Sequence, residues 1–102
     1  MNMAFVKVAQ KSEIKAGKGK VVEVNGKSIA ILNDNGKFFA VENECKHVGG
    51  PLGEGTCQDG IVMCPWHQWT YDLKTGKNKM DESIKLETYE IKVEGNNLLV
   101  NL

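Results

Sequence analysis

The two histidines of this chain each stand beside a cysteine. The segments are Cys45-Lys46-His47 and Cys64-Pro65-Trp66-His67, with 16 residues between His47 and Cys64. Thiolates and neutral imidazoles are metal ligands, and two of each can surround one metal centre. Two chemistries suit that donor set. A tetrahedral zinc would be closed and redox-inert, although Cys2His2 zinc sites usually pair like with like, as C-x2-4-C followed by H-x3-5-H. A [2Fe–2S] core with unequal ligation takes two cysteines on one iron and two histidines on the other. That arrangement needs each loop to reach both irons, and each segment here supplies one ligand of each kind. At this point zinc and iron–sulfur chemistry both stand open.

The elements that must position these segments read as β. An opening strand is expected at 4–8, a loop at 15–20, and strands at 21–24 and 28–32 joined by Asn25-Gly26. Asn-Gly between β-branched runs is the strongest local hairpin signal, because both residues tolerate positive φ. A second such turn, Asn35-Gly36, leads into a strand at 37–41, and the alternating run 87–93 turns at Gly95-Asn96 into 98–100. Residues 12–15 could form one turn of helix, stopped by Gly17, and no segment sustains a helical period. Short strands joined by Gly and Asn turns predict an all-β fold, a small antiparallel sandwich or barrel. Between 43 and 79 the character changes: glycines cluster there, both prolines (Pro51 and Pro65) lie there, and only two short strands are expected, at 60–63 and 69–73. This region reads as an insertion shaped by something other than an apolar core.

Composition narrows the function classes. The 102 residues make one domain, small enough that a metal centre would help hold it. Thirteen lysines, with no arginine, balance 13 acidic residues. No basic excess exists to release counterions from nucleic acid, and the guanidinium fork that reads phosphate and guanine is missing. No apolar run approaches the roughly 20 residues that span a bilayer. The start lacks a basic region followed by an apolar stretch, and three cysteines are an odd count for a disulfide framework. A soluble, cytoplasmic domain is the expectation.

The segments Cys45-Lys46-His47-Val48-Gly49-Gly50-Pro51-Leu52 and Cys64-Pro65-Trp66-His67-Gln68-Trp69-Thr70-Tyr71-Asp72 resemble the two cluster-binding boxes of Rieske-type ferredoxins. The Glu23-Val24-Asn25-Gly26 hairpin, the Phe38-Phe39-Ala40-Val41 strand and Asp72-Leu73-Lys74-Thr75-Gly76 share the likeness, which covers nearly the whole chain. The resemblance implies a Rieske fold: one domain over 1–102, with 43–79 as a cluster-binding subdomain inserted in a β base. It implies one [2Fe–2S] cluster, with Cys45 and Cys64 on the buried iron and His47 and His67 on the outer one. Gly49, Gly50 and Gly53 would let backbone N–H groups approach the cluster sulfurs, and Pro51 would stiffen the covering loop.

His-for-Cys replacement leaves the oxidised centre formally neutral, which raises its potential to about −150 to +300 mV. High-potential members of the family add a disulfide at positions that here are Gly50 and Trp66. They also use a serine hydroxyl where this chain has Trp69. Tyr71 keeps the family's tyrosine, whose hydroxyl bonds a ligand cysteine sulfur. With one such device left, the expected potential is about −150 to 0 mV.

The function implied is a one-electron carrier from a flavin-containing ferredoxin reductase to a terminal oxygenase. The partners would dock transiently over His47 and His67, on an interface under about 1,200 Å², with the carrier a monomer and no nucleic acid or membrane involved. The alternative within the family is the Rieske-type small subunit of an assimilatory NAD(P)H nitrite reductase. An oxygenase active site is excluded, because a facial triad needs two further histidines. Cys57 reads as a small buried side chain, and Trp66 and Trp69 as packing between the two loops. Glu42, Glu44, Glu54 and Asp59 read as solvated surface, with guidance of a basic partner as the alternative.

Overall fold

The computed structural model describes residues 5–46, 50–66 and 68–101. Within them lie ten strands and two 3₁₀ turns, with no α-helix. The strands are β1 (Phe5–Gln10), β2 (Gly19–Val24), β3 (Lys27–Asp34), β4 (Lys37–Glu42), β5 (Thr56–Gln58), β6 (Ile61–Met63), β7 (Thr70–Asp72), β8 (Thr88–Tyr89), β9 (Ile91–Glu94) and β10 (Asn97–Asn101). They form three antiparallel sheets, ordered β1-β10-β9, β2-β3-β4-β8 and β5-β6-β7. The all-β expectation holds.

Strand β3 organises the molecule. Its run Ile29-Ala30-Ile31-Leu32 is wholly buried, because side chains alternate between two cores. Ile29 and Ile31 pack with Ala9, Phe38, Leu98 and Val100 on one side. Ala30 and Leu32 face the opposite core with Leu52, Val62, Tyr71 and Leu73. A strand covered on both faces reads as a continuous apolar run, and this one does. Both Cys45 and Cys64 belong to the second core, so the candidate ligands are anchored in the interior of the fold.

The Asn25-Gly26 and Asn35-Gly36 turns form as expected, with φ of 52° and 77° in the first and 53° and 95° in the second. Three local expectations differ. The run 87–93 is two strands: β8 pairs with β4, and β9 pairs with β10 in another sheet. The helical turn falls at Lys11–Glu13 and is 3₁₀, with buried Ile14 as its C-cap. Between 43 and 79 there are three strands where two were expected; β5 was not anticipated. Its signal was present in Asp59-Gly60, which takes φ of 54° and 79° and joins β5 to β6 as a hairpin.

Candidate metal centre

Each box follows directly from a strand. Strand β4 ends at Glu42, and Cys45 lies three residues on; β6 ends at Met63, and Cys64 is the next residue. Backbone bonds close both loops at their base: Cys45 N–H donates to Gly50 O at 2.9 Å, and Cys64 N–H donates to Trp69 O at 2.7 Å. Gln68, inside the second loop, takes φ of 57°, a left-handed conformation unusual for a residue with a Cβ.

The two loops press on each other through Gly50. A Cβ built there would lie 2.7 Å from Cys64 Sγ, closer than packed atoms come, and a tight 3.2 Å from Trp66 Cδ2. Trp66 therefore rests against the first loop, in the packing role expected of it, while staying half exposed at 50 %.

Cys45 and Cys64 are buried and form no disulfide. Cys45 Sγ stands 3.2 Å from the Tyr71 hydroxyl, and Cys64 Sγ accepts the Trp66 N–H at 3.4 Å. Burial pushes the Cys64 thiol up; the Trp66 N–H opposes this, and a hydrogen bond with the Cys45 thiol adds to it. Two neighbouring buried sulfurs from separate loops, neither in a disulfide, are a donor set that a thiophilic metal fits, since the metal supplies the positive charge that a buried thiolate lacks. The Tyr71 hydroxyl is pushed up to about 12, by burial first and then by its bond to Cys45. It stays protonated, as a donor to a metal-bound thiolate would have to be.

Pro51 lies where the first loop leaves its tip. It bridges to Glu44 and precedes the 3₁₀ turn Leu52–Glu54. His47, Gly49 and His67, the remaining expected site residues, lie outside the described residues. Cys57 stands apart from the pair. It sits in β5, is 6 % exposed, and donates from Sγ to Asn33 O at 3.2 Å. Burial pushes its thiol up to about 11, as suits a small packed side chain.

Among the acidic residues around the first box, Glu42 and Glu44 line one surface cavity together with Glu87. Glu42 holds Lys46 Nζ at 2.9 Å and accepts the Glu87 N–H at 3.0 Å, while Asp59 is at the β5–β6 turn. The sequence reading missed Asn43 and Asn78, both buried beneath the boxes. No periodicity marks them: Asn43 Oδ1 accepts the Gly53 N–H across the first loop, and Asn78 Oδ1 accepts the Met80 and Asp81 N–H groups of its own loop.

The sequence pattern of the Rieske [2Fe-2S] domain matches residues 4–90. The chain belongs to the Rieske [2Fe-2S] domain family. Among named relatives, the ferredoxin component of biphenyl 2,3-dioxygenase from Rhodococcus jostii (strain RHA1) is 32 % identical over 98 % of this chain and 94 % of its own length. The biphenyl dioxygenase ferredoxin subunit of Pseudomonas sp. (strain KKS102) is 34 % identical over 97 % of this chain and 93 % of its own.

Among solved structures, the ferredoxin of carbazole 1,9a-dioxygenase from Nocardioides aromaticivorans IC177 superposes with a TM-score of 0.84 at 25 % identity, over 95 % of this chain and 96 % of that one. A ferredoxin solved in complex with the reduced oxygenase of carbazole 1,9a-dioxygenase also gives 0.84 at 25 % identity, over 98 % and 94 %. A putative NADH-dependent nitrite reductase small subunit from Mycobacterium tuberculosis reaches 0.90 at 19 % identity, over 100 % and 97 %, a likeness of fold alone.

Proposed function

We propose that the protein is the ferredoxin component of an aromatic-ring dioxygenase system, a one-electron carrier between a flavin-containing reductase and a terminal oxygenase. One observation carries the metal half of this reading: two buried, undisulfided cysteines from separate loops, one bonded by a tyrosine that stays protonated. Full-length relatives named as ferredoxin components support the carrier half, and weigh more than the fold-level likeness to a nitrite reductase subunit.

In this reading Cys45 and Cys64 hold one iron, and His47 and His67 the other. Gly49, Gly50 and Pro51 shape the covering loop, and the region 43–79 forms the cluster-binding insertion of a single domain. A cluster so ligated supplies reversible one-electron chemistry at a potential above that of all-cysteine [2Fe–2S] centres. The protein's own part is to keep both sulfurs buried, to donate from Tyr71 and the Trp66 N–H, and to bring the loops to the surface beside half-exposed Trp66. No substrate-transforming group is required of it.

The partner docks over His47 and His67. Among the described residues no helix is long and apolar enough to cross a membrane. We place the carrier in the cytoplasm, as a monomer whose free thiols suit a reducing compartment.

Reconstitution tests the reading. The protein, a flavin reductase and a terminal oxygenase of a biphenyl- or naphthalene-type system should together support NADH-dependent ring dihydroxylation. Omitting the protein should abolish it. Turnover that is indifferent to the protein would overturn the carrier role.

A further inference from the structure

Three asparagines are the buried polar side chains among the described residues: Asn33, Asn43 and Asn78. A buried carboxamide destabilises the fold unless it is hydrogen-bonded, so each must have structural partners. Asn33 serves the β base: its Nδ2 donates to Ile14 O at 2.7 Å, and its Oδ1 accepts the Gly36 N–H at 2.7 Å.

Asn43 lies two residues before Cys45 and is used differently. Its N–H donates to Ser28 O at 3.1 Å, and its carbonyl accepts the Leu52 N–H at 2.8 Å. Its side-chain Oδ1 accepts the Gly53 N–H at 2.9 Å. One residue thereby fastens the entering limb of the first box both to β3 and to the leaving limb. The Glu44–Pro51 bridge and the Cys45 N–H bond to Gly50 O continue the closure toward the tip.

The leaving limb has little room to find another partner. A Cβ on Gly53 would meet Val21 Cγ2 at 2.6 Å and Val21 N at 2.9 Å, so this residue is already seated on β2. Gly53 is itself buried, and without Asn43 its N–H would have no water to turn to.

We infer that Asn43 is a positioning residue for the metal centre: its carboxamide latches the loop carrying Cys45 and His47, holding Cys45 Sγ at Tyr71 before metal binds. The inference rests on the functional reading above. It differs from a general packing role in what it predicts. A latch sets the geometry of the ligand loop, so its loss changes the bound centre as well as the stability of the fold.

The test uses the full-length protein isolated with its iron. Four variants are compared with the parent: Asn43→Leu and Asn43→Ala, which remove the acceptor; Asn43→Asp, which keeps an oxygen in place; and Asn33→Leu, an equally buried asparagine of the base. The readouts are the rate of iron release to a chelator, the visible circular dichroism of the centre, its midpoint potential and thermal unfolding. Asn43→Leu, or Asn43→Ala if the leucine variant does not fold, should release iron about tenfold faster, the effect of one lost buried hydrogen bond. Its dichroism and potential should shift as well. Asn43→Asp should restore the parent's rate and spectrum. Asn33→Leu should lower the unfolding temperature and leave the centre unchanged.

Parent-like release and dichroism in the acceptor-less variants would overturn the latch, as would an Asn33→Leu variant that alters the centre equally or an Asn43→Asp that fails to rescue it. A parent lacking iron and sulfide would overturn the functional reading together with the latch, whereas an iron-bearing parent with unaffected variants overturns the latch alone.

Discussion

The Tyr71 hydroxyl lies 3.2 Å from Cys45 Sγ while accepting the Lys46 N–H at 3.0 Å. A thiolate that ligates a metal has no proton to give, so toward such a sulfur the hydroxyl is the donor. A donor to a ligand thiolate stabilises the more electron-rich state of the site, so the bond raises the potential. Tyr71→Phe should lower it by about 40 mV, the one-electron equivalent of about 1 kcal/mol. Protein-film voltammetry checks this, and an unchanged or higher potential would refute the assigned direction.

Gly50 gives a steric prediction. The side chain of Gly50→Ala would place a carbon 2.7 Å from Cys64 Sγ. Relieving that overlap means separating the two boxes, at a cost of about 1–3 kcal/mol. The variant should be isolated with markedly less iron than the parent, measured per folded chain, while its far-ultraviolet dichroism stays native. Full iron occupancy would show that the loops separate freely.

Cys57 makes a pH prediction. Its folded value is raised from 9.0 to about 11, so the unfolded chain loses this proton first. Its contribution to stability is complete below pH 9 and is lost as pH rises toward 11. Urea midpoints of the parent should therefore fall over that interval, and Cys57→Ala should fall less steeply over the same interval. At pH 8 the same variant should keep the parent's iron content, because Cys57 Sγ is committed to Asn33 O. Equal slopes would remove Cys57 from the alkaline response.

Ligand exchange tests the histidine assignment. In His47→Cys a thiolate replaces a neutral imidazole and adds one negative charge to the centre. If a cluster assembles, its potential should drop toward the plant-type value of about −400 mV. A potential within the parent's range would mean that His47 is not a ligand.

Much of this was legible in the residues, and the exceptions share a cause. The buried run 29–32 and the two Asn-Gly turns signal themselves locally, because apolar continuity and positive φ are properties of adjacent residues. The split of 87–93 into β8 and β9 was not legible, since alternation says which face is wet but not which sheet a strand joins. Strand β5 is three residues with a polar end, too short for a pattern, and only its Asp59-Gly60 turn could have revealed it. At the site, residue type and spacing singled out Cys45 and Cys64, the resemblance singled out Tyr71, and the fold places the three side by side. Asn43 was invisible because it acts on the Gly53 N–H, ten residues away, through a closed loop that no local signal describes.

The central claim is that the paired cysteines and histidines hold a two-iron centre of low Rieske potential. Iron and acid-labile sulfide analysis, joined to a redox titration of the same sample, tests it most directly. The account predicts about two irons and two sulfides per chain, and a single one-electron wave at about −150 to 0 mV. A colourless protein with stoichiometric zinc would contradict it outright, and a wave above about +200 mV would contradict the reading of its hydrogen-bond environment.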